Sequence, residues 1–203
     1  MYYLGVDLGQ KQDPTALALV RRIEYRDPYG GPQFDGLGVV GLERVQLGTP
    51  YPVVVERIRR LTMRMDLITR VKVVVDATGV GAPVVEAMRQ AGMGAEITAV
   101  TITGGDKESH KGLDYHVPKQ DLMMGLQMAL EKEELKISRK VGEAGALVKE
   151  LVNMRAQTGV RGRVRVGADA FGEHDDLVMA LALAAWRAKR IYSLSGMVRL
   201  PGI

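Results

Sequence analysis

Four aspartates stand where acidic side chains are costly. Asp7 ends the apolar run Tyr2-Tyr3-Leu4-Gly5-Val6, and Asp76 ends the β-branched run Val71-Lys72-Val73-Val74-Val75. A carboxylate at the buried end of a strand loses hydration, or shifts its pKa, unless something pairs with it. A divalent cation held by hard oxygen donors is one such partner. If the two strands are adjacent and parallel, their backbones lie about 4.8 Å apart, close enough for both carboxylates to clamp one cation. The third acidic element, Asp175-Asp176, opens a helix-like stretch. Consecutive helical residues point about 100° apart, so at least one of the pair can face a sheet edge.

Each aspartate taken singly also has an ordinary explanation. Asp175 or Asp176 suits a helix N-cap or an acidic first turn stabilised by the helix dipole. Asp7 could accept turn hydrogen bonds, and Asp76 before Thr78 and Gly79 could start an Asx-turn. Two strand ends and a helix start together are harder to account for that way.

The elements that must position these acids follow from the chain in order. Residues 2–7 read as a strand and Ala16 to Tyr25 as its antiparallel neighbour, joined by the turn chemistry of Gln10-Lys11-Gln12-Asp13-Pro14. After the Asp27–Pro32 loop a third strand spans roughly Leu37 to Leu47. From Pro52 the period becomes helical, with Val54, Ile58, Leu61, Met65 and Ile68 on one face. Val71–Asp76 reads as a strand buried on both faces. A helix follows from Pro83 to about Gln90, then a strand from Glu96 to Ile102. Residues 103–117 are polar and aperiodic, hence a long loop of the kind that is usually functional or mobile. Further helices are expected over Pro118 to about Glu133, Ala144 to Gln157, and His174 to about Arg190. Leu135–Ser138 reads as an edge strand and Arg163–Val166 as one arm of a hairpin. The fold class is therefore α/β: a mixed sheet of five to six strands, an antiparallel meander plus parallel strands, flanked by helices. One domain is expected over residues 1–190, with a tail over 191–203.

Composition fits this reading. With 203 residues and 46% hydrophobic content the chain can bury a full core. No apolar run approaches the roughly 20 residues of a membrane span, and Asp7 interrupts the one early segment that could resemble a signal peptide. The absence of cysteine rules out disulfides and thiolate metal sites. His110, His116 and His174 form no zinc spacing. The net charge of +4 is modest, so where the charge lies matters more than its sum.

The pattern resembles the nuclease domain of the large terminase subunit of tailed bacteriophages, in the ribonuclease H-like superfamily. The segments that carry the resemblance are GVDLGQKQDPTALALV at 5–20, VVVDATGVGAPVVEAM at 73–88, a lysine-led helix at 119–130, and GEHDDLVMALALAAW at 172–186. It spans about residues 2–190, and the order and spacing of the motifs carry it.

What the resemblance implies is an endonuclease that cuts double-stranded DNA with two Mg²⁺ or Mn²⁺ ions. Asp7 would bridge the metals, and Asp76, Asp175 and Asp176 would complete the cluster; His174 would ligate a metal or orient a ligand. Lys119 is the basic residue that the family places at a helix start near the site. Lys107 and Lys111 in the loop, with Arg161, Arg163 and Arg165 alternating on the hairpin, offer a phosphate track; charge that merely protects an edge strand explains those arginines equally well. Implied partners are an ATPase domain of the same subunit, a small terminase subunit and a portal, with no membrane, in the host cytoplasm. Complete large subunits carry an ATPase motor before this domain, whereas no G-x-x-x-x-G-K-[ST] phosphate loop occurs here. An excised domain or a stand-alone relative is therefore expected, unable to translocate DNA by itself.

Three other readings compete. A Holliday-junction resolvase-like nuclease would prefer four-way junctions to plasmid. An actin-like ATPase fragment shares DLG- and DATG-like turns but needs a second domain to close over nucleotide. A non-catalytic docking module of a packaging machine would use its carboxylates only to cap turns.

Overall fold

The computed structural model describes residues 1–9, 13–25, 34–66, 71–153, 155–158, 164–167 and 175–195. The meander is β1 (Tyr2–Asp7), β2 (Ala16–Tyr25) and β3 (Phe34–Arg44), followed by α1 (Tyr51–Asp66), β4 (Val71–Asp76), α2 (Gly81–Gln90) and β5 (Glu96–Thr103). Next come β6 (Ser109–Lys111), β7 (Asp114–Pro118), α3 (Lys119–Glu131), β8 (Leu135–Ile137) and α4 (Ala144–Asn153). The described chain closes with β9 (Arg155–Thr158), β10 (Val164–Gly167) and α5 (Asp176–Ser195). Among the described residues, no helix is long and apolar enough to cross a membrane.

Eight strands form one mixed sheet in the order β6-β7-β5-β4-β1-β2-β3-β8, and β9 and β10 pair as a separate hairpin. β1 lies between β4, which it meets in parallel, and β2, which it meets antiparallel. The chain leaves β1 towards one edge through β2 and returns to its other side through β4. Strand order therefore reverses at β1, the position at which open α/β sheets bind ligands beyond the strand ends.

Side-chain alternation divides the sheet into two faces. Leu4, Val6, Val73 and Val75 pack with Val54, Ile58, Val84 and Met88 of α1 and α2. Tyr3, Val74, Ala16, Ala18 and Val20 pack on the opposite face with Leu122 and Leu126 of α3, Leu147 of α4 and α5 from Leu177 to Ala188. Asp7 follows the parity of Tyr3, and Asp76 that of Val74, so both acids belong to the α5 face.

α5 is buried on nearly every side, as a helix clamped between a sheet and other helices must be. Its small residues Ala180 and Ala184 let it lie directly on β1. A Cβ built on Gly5 would stand 1.8 Å from the Ala180 carbonyl oxygen, so this close approach requires glycine. Lower down, Arg187 donates to Glu96 (2.7 Å) and to Thr98 Oγ1 (3.3 Å) on β5, and Lys72 also reaches Glu96 (3.1 Å).

Three elements depart from the sequence pattern. Residues 103–117, expected as a loop, contain β6, whose three residues are all exposed, and β7, which turns Tyr115 and Val117 towards the core. They raise the strand count to eight. The helix expected to reach Gln157 ends at Asn153, and its continuation becomes β9, paired with β10. α5 continues to Ser195, past the expected boundary at Arg190, and begins at Asp176, which leaves Asp175 just outside it.

Candidate active site

Asp7 and Asp76 end neighbouring parallel strands: Val6 pairs with Val75, one residue before each acid. The chain then turns sharply after β4. Thr78 N–H donates to Asp76 Oδ1 at 2.8 Å, the Asx-turn that the sequence allowed. A Cβ on Gly81 would stand 2.2 Å from the Asp76 carbonyl oxygen, so the start of α2 must be glycine to fold back over the strand end. Thr78 Oγ1 also accepts from Ile102 N–H (2.9 Å), which ties this turn to β5.

α5 delivers the other acids from above. It runs antiparallel to β1, with Ala180 over Gly5. Four helical residues rise about 6 Å and two strand residues about 6.6 Å, so stepping back from Ala180 to Asp176 matches stepping forward from Gly5 to Asp7. The match of these two rises sets the helix start above the strand end. Asp176 is buried in the first turn, and the Asp175 carbonyl accepts from Met179 N–H (2.9 Å) to begin the helix ladder.

Lys119 enters from a third direction. β5 and β7 are parallel with Thr103 opposite Pro118, so the first residue of α3 emerges at the same end of the sheet. Its ammonium pairs with Asp175 Oδ2 at 2.9 Å.

The electrostatics record the crowding. Asp7 is held well above the usual carboxylate range, first by burial and then by the charges of Asp76, Asp176 and Asp175, with Lys119 opposing them. Asp76 is raised too, chiefly by burial, against its Thr78 hydrogen bonds and the Lys119 charge. Gathering like charges in a recess is unfavourable unless a cation compensates them.

Four carboxylates suit a hard divalent cation, which prefers oxygen donors. They are gathered rather than closed on one point: among the described residues, no three acidic or histidine side chains already enclose a single ion.

The remaining expected site residues are less uniform. Lys107 belongs to the segment after Thr103, at the strand ends that carry the acids. Lys111 does not join them. It pairs with Asp114, which lies opposite Ala99, four residues or about 13 Å back along β5 from Thr103. Arg165 lies on β10, opposite Gln157, and α3 packs against that strand. Arg161, Arg163 and His174 lie outside the described residues.

One buried carboxylate here had no sequence signal. Glu150 of α4 accepts from Val178 N–H in the first turn of α5 (3.0 Å) and pairs with Arg44 at the end of β3. Its pKa is pushed up to about 7, first by burial, with Val178 and Arg44 opposing and Asp176 and Asp175 adding to the rise. In sequence it is one more polar residue of an amphipathic helix; its contacts are all long-range.

No family model and no curated protein sequence matches the chain. Solved structures do. The large terminase nuclease of thermophilic phage G20c with bound magnesium shares 24% identity and a TM-score of 0.62, over 92% of this chain and 81% of that one. The Thermus phage P74-26 large terminase nuclease domain shares 23% identity and a TM-score of 0.58, over 91% and 77%. The large terminase nuclease domain of bacteriophage SPP1 with bound manganese shares 14% identity and a TM-score of 0.55, over 92% and 86%. At these identities the likeness is one of fold. The chain shares the fold of these terminase nuclease domains, a mixed sheet of antiparallel and parallel strands flanked by helices, as expected from its sequence.

Proposed function

We propose that this chain is a divalent-metal-dependent endonuclease acting on double-stranded DNA with little sequence preference, the nuclease part of a phage genome-packaging terminase. The observation that carries the reading is the meeting of Asp7, Asp76, Asp175 and Asp176 at one end of the sheet, where Asp7 is raised first by burial and then by the charges of the other three. The relatives of like fold include nucleases whose structures contain magnesium or manganese.

Asp7, Asp76, Asp175 and Asp176 would hold Mg²⁺ or Mn²⁺, with Asp7, which feels the charges of the other three, central to the set. Two such ions, when bound, would supply an acidified water and charge compensation for a leaving 3′-oxygen. The chain's own residues hold the oxygen donors in place for cations. Lys119 balances part of that charge through Asp175 and stands where a scissile phosphate would meet a fixed positive group. Lys107 extends the positive rim along the sheet end. Phosphate contacts of this kind position DNA without reading its sequence.

The remainder of the packaging machine follows from the same reading: an ATPase domain of the same subunit, a small terminase subunit and a portal, in the host cytoplasm. Supercoiled plasmid incubated with Mn²⁺, with EDTA and Asp7→Ala controls, tests the reading. Nicking and linearisation by the wild type, lost with EDTA and in a folded Asp7→Ala protein, is the expected result. Equal cutting by wild type and Asp7→Ala sinks it. Much faster cutting of four-way junctions than of plasmid would point to a resolvase instead.

A further inference from the structure

We propose that Glu150, anchored by Arg44, is a positioning residue that fixes the acidic start of α5 to the row of the sheet holding Asp7. The inference rests on the nuclease reading for its consequence, but not for its geometry. Asp7 pairs with Ala16 across β1 and β2, and Ala16 pairs with Arg44 across β2 and β3. Directly paired residues share a face. Arg44 therefore lies on the α5 face in the same cross-strand row as Asp7, two strand spacings or about 10 Å away.

From there the connection runs upward. Arg44 Nη2 donates to Glu150 Oε1, and Arg44 Nη1 donates to Glu143 at 3.2 Å. Glu150 Oε2 accepts from Val178 N–H at 3.0 Å. The first N–H groups of a helix have no partner within it. Asp176, Leu177 and Val178 open α5, so Glu150 supplies from another helix the acceptor that a local capping side chain usually provides. Its negative charge at a helix N-terminus is favourable in addition.

Both Glu150 oxygens are engaged, one by Arg44 and one by Val178. A bridge from Arg44 through Glu150 to Val178 holds the helix start, two residues from Asp176, at a set height over the sheet. Without it, the first turn of α5 can fray and Asp175 and Asp176 lose their registration against Asp7 and Asp76. Side chains that orient metal ligands typically change metal affinity by about 10- to 100-fold when removed.

The test compares wild type with Glu150→Ala by two readouts. Amide hydrogen exchange in metal-free protein reports the first turn of α5, and Mn²⁺ titration calorimetry reports the site. Expected in Glu150→Ala are exchange about five- to tenfold faster at Leu177–Met179 and Mn²⁺ affinity weakened about 10- to 100-fold, with far-UV circular dichroism retained. Unchanged exchange overturns the proposal. Weakened Mn²⁺ binding without faster metal-free exchange would make Glu150 a ligand, and overturns it as well. If wild type binds no Mn²⁺, the nuclease reading fails, while the exchange readout still decides whether Glu150 holds the helix. Should Glu150→Ala not fold, Arg44→Met/Glu150→Leu leaves no lone charge between them. The same faster exchange is expected of it, and unchanged exchange overturns the proposal equally.

Discussion

The carbonyl oxygen of Ala180 occupies the space where a side chain on Gly5 would begin, 1.8 Å from an ideal Cβ. This contact fixes how deeply α5 sits on β1, and therefore how near Asp176 comes to Asp7. Even a methyl group at residue 5 must lift the helix. Gly5→Ala is expected to cost about 1–3 kcal/mol or more through overpacking. That lowers Tm by roughly 2–4 °C per kcal/mol in a chain of this size. Thermal denaturation with and without Mn²⁺ checks it. The stabilisation by Mn²⁺ should shrink as well as Tm, because the contact sets the spacing of the acids.

The raised carboxyls make stability fall with pH in the absence of metal. Asp7 and Glu150 have folded-state pKa values above their unfolded ones. Between the unfolded value and the folded value the native state binds more protons than the unfolded state, so unfolding becomes easier as pH rises. For Glu150 that window runs from its ordinary value of 4.5 to about 7. Metal-free protein should therefore have a higher Tm near the bottom of the window than above it. Added Mn²⁺ should stabilise most at the alkaline end. Asp7→Asn, which removes a strongly raised carboxyl, should raise the metal-free Tm at alkaline pH and flatten the profile. A lower Tm for Asp7→Asn at alkaline pH would refute this account.

Lys119 compensates acid charge through Asp175 at 2.9 Å. Lys119→Ala is expected to destabilise metal-free protein at neutral pH, by an amount that saturating Mn²⁺ largely removes. Under the proposed function, plasmid cutting should fall in the same variant, because the cation proposed to meet the phosphate is lost. An equal Tm deficit with and without Mn²⁺ would show that Lys119 supports the fold rather than the site.

Lys107 and Lys111 should behave differently despite their closeness in sequence. Lys107 follows the carboxyl end of β5, whereas Lys111 is set back along the sheet opposite Asp114. Neutralising one phosphate-contacting lysine reduces the slope of log affinity against log salt by about 0.9. Fluorescence anisotropy with duplex DNA in Ca²⁺, across a salt series, should show that change for Lys107→Ala and little change for Lys111→Ala. The reverse result would move the DNA path to the outer hairpin.

The sequence made the strand-borne part of the site legible because its elements are written locally. Val71–Asp76 is a β-branched run that suits only a strand buried on both faces, and Tyr2–Asp7 likewise ends in an acid that apolar surroundings make conspicuous. The meander, the parallel strands and the acid-led helix followed from such runs. What the sequence hid is non-local. Ser109–Lys111 is fully exposed and carries no alternation, so only its pairing with Asp114–His116 identifies it as a strand. Glu150 sits on an amphipathic helix like any solvated acid, and its burial depends on Arg44 and Val178, far away in the chain. Gly5 was visible as a glycine, but the reason for it lies in Ala180.

Because α5 must lie across β1 before Asp176 can approach Asp7, no shorter stretch of the polypeptide holds the acidic cluster. A ribosome that has made everything through α4 displays Asp7 and Asp76 without their lid of helix-borne acids. Under the proposed function, cutting ability should therefore appear late and abruptly during synthesis, once α5 has emerged and docked.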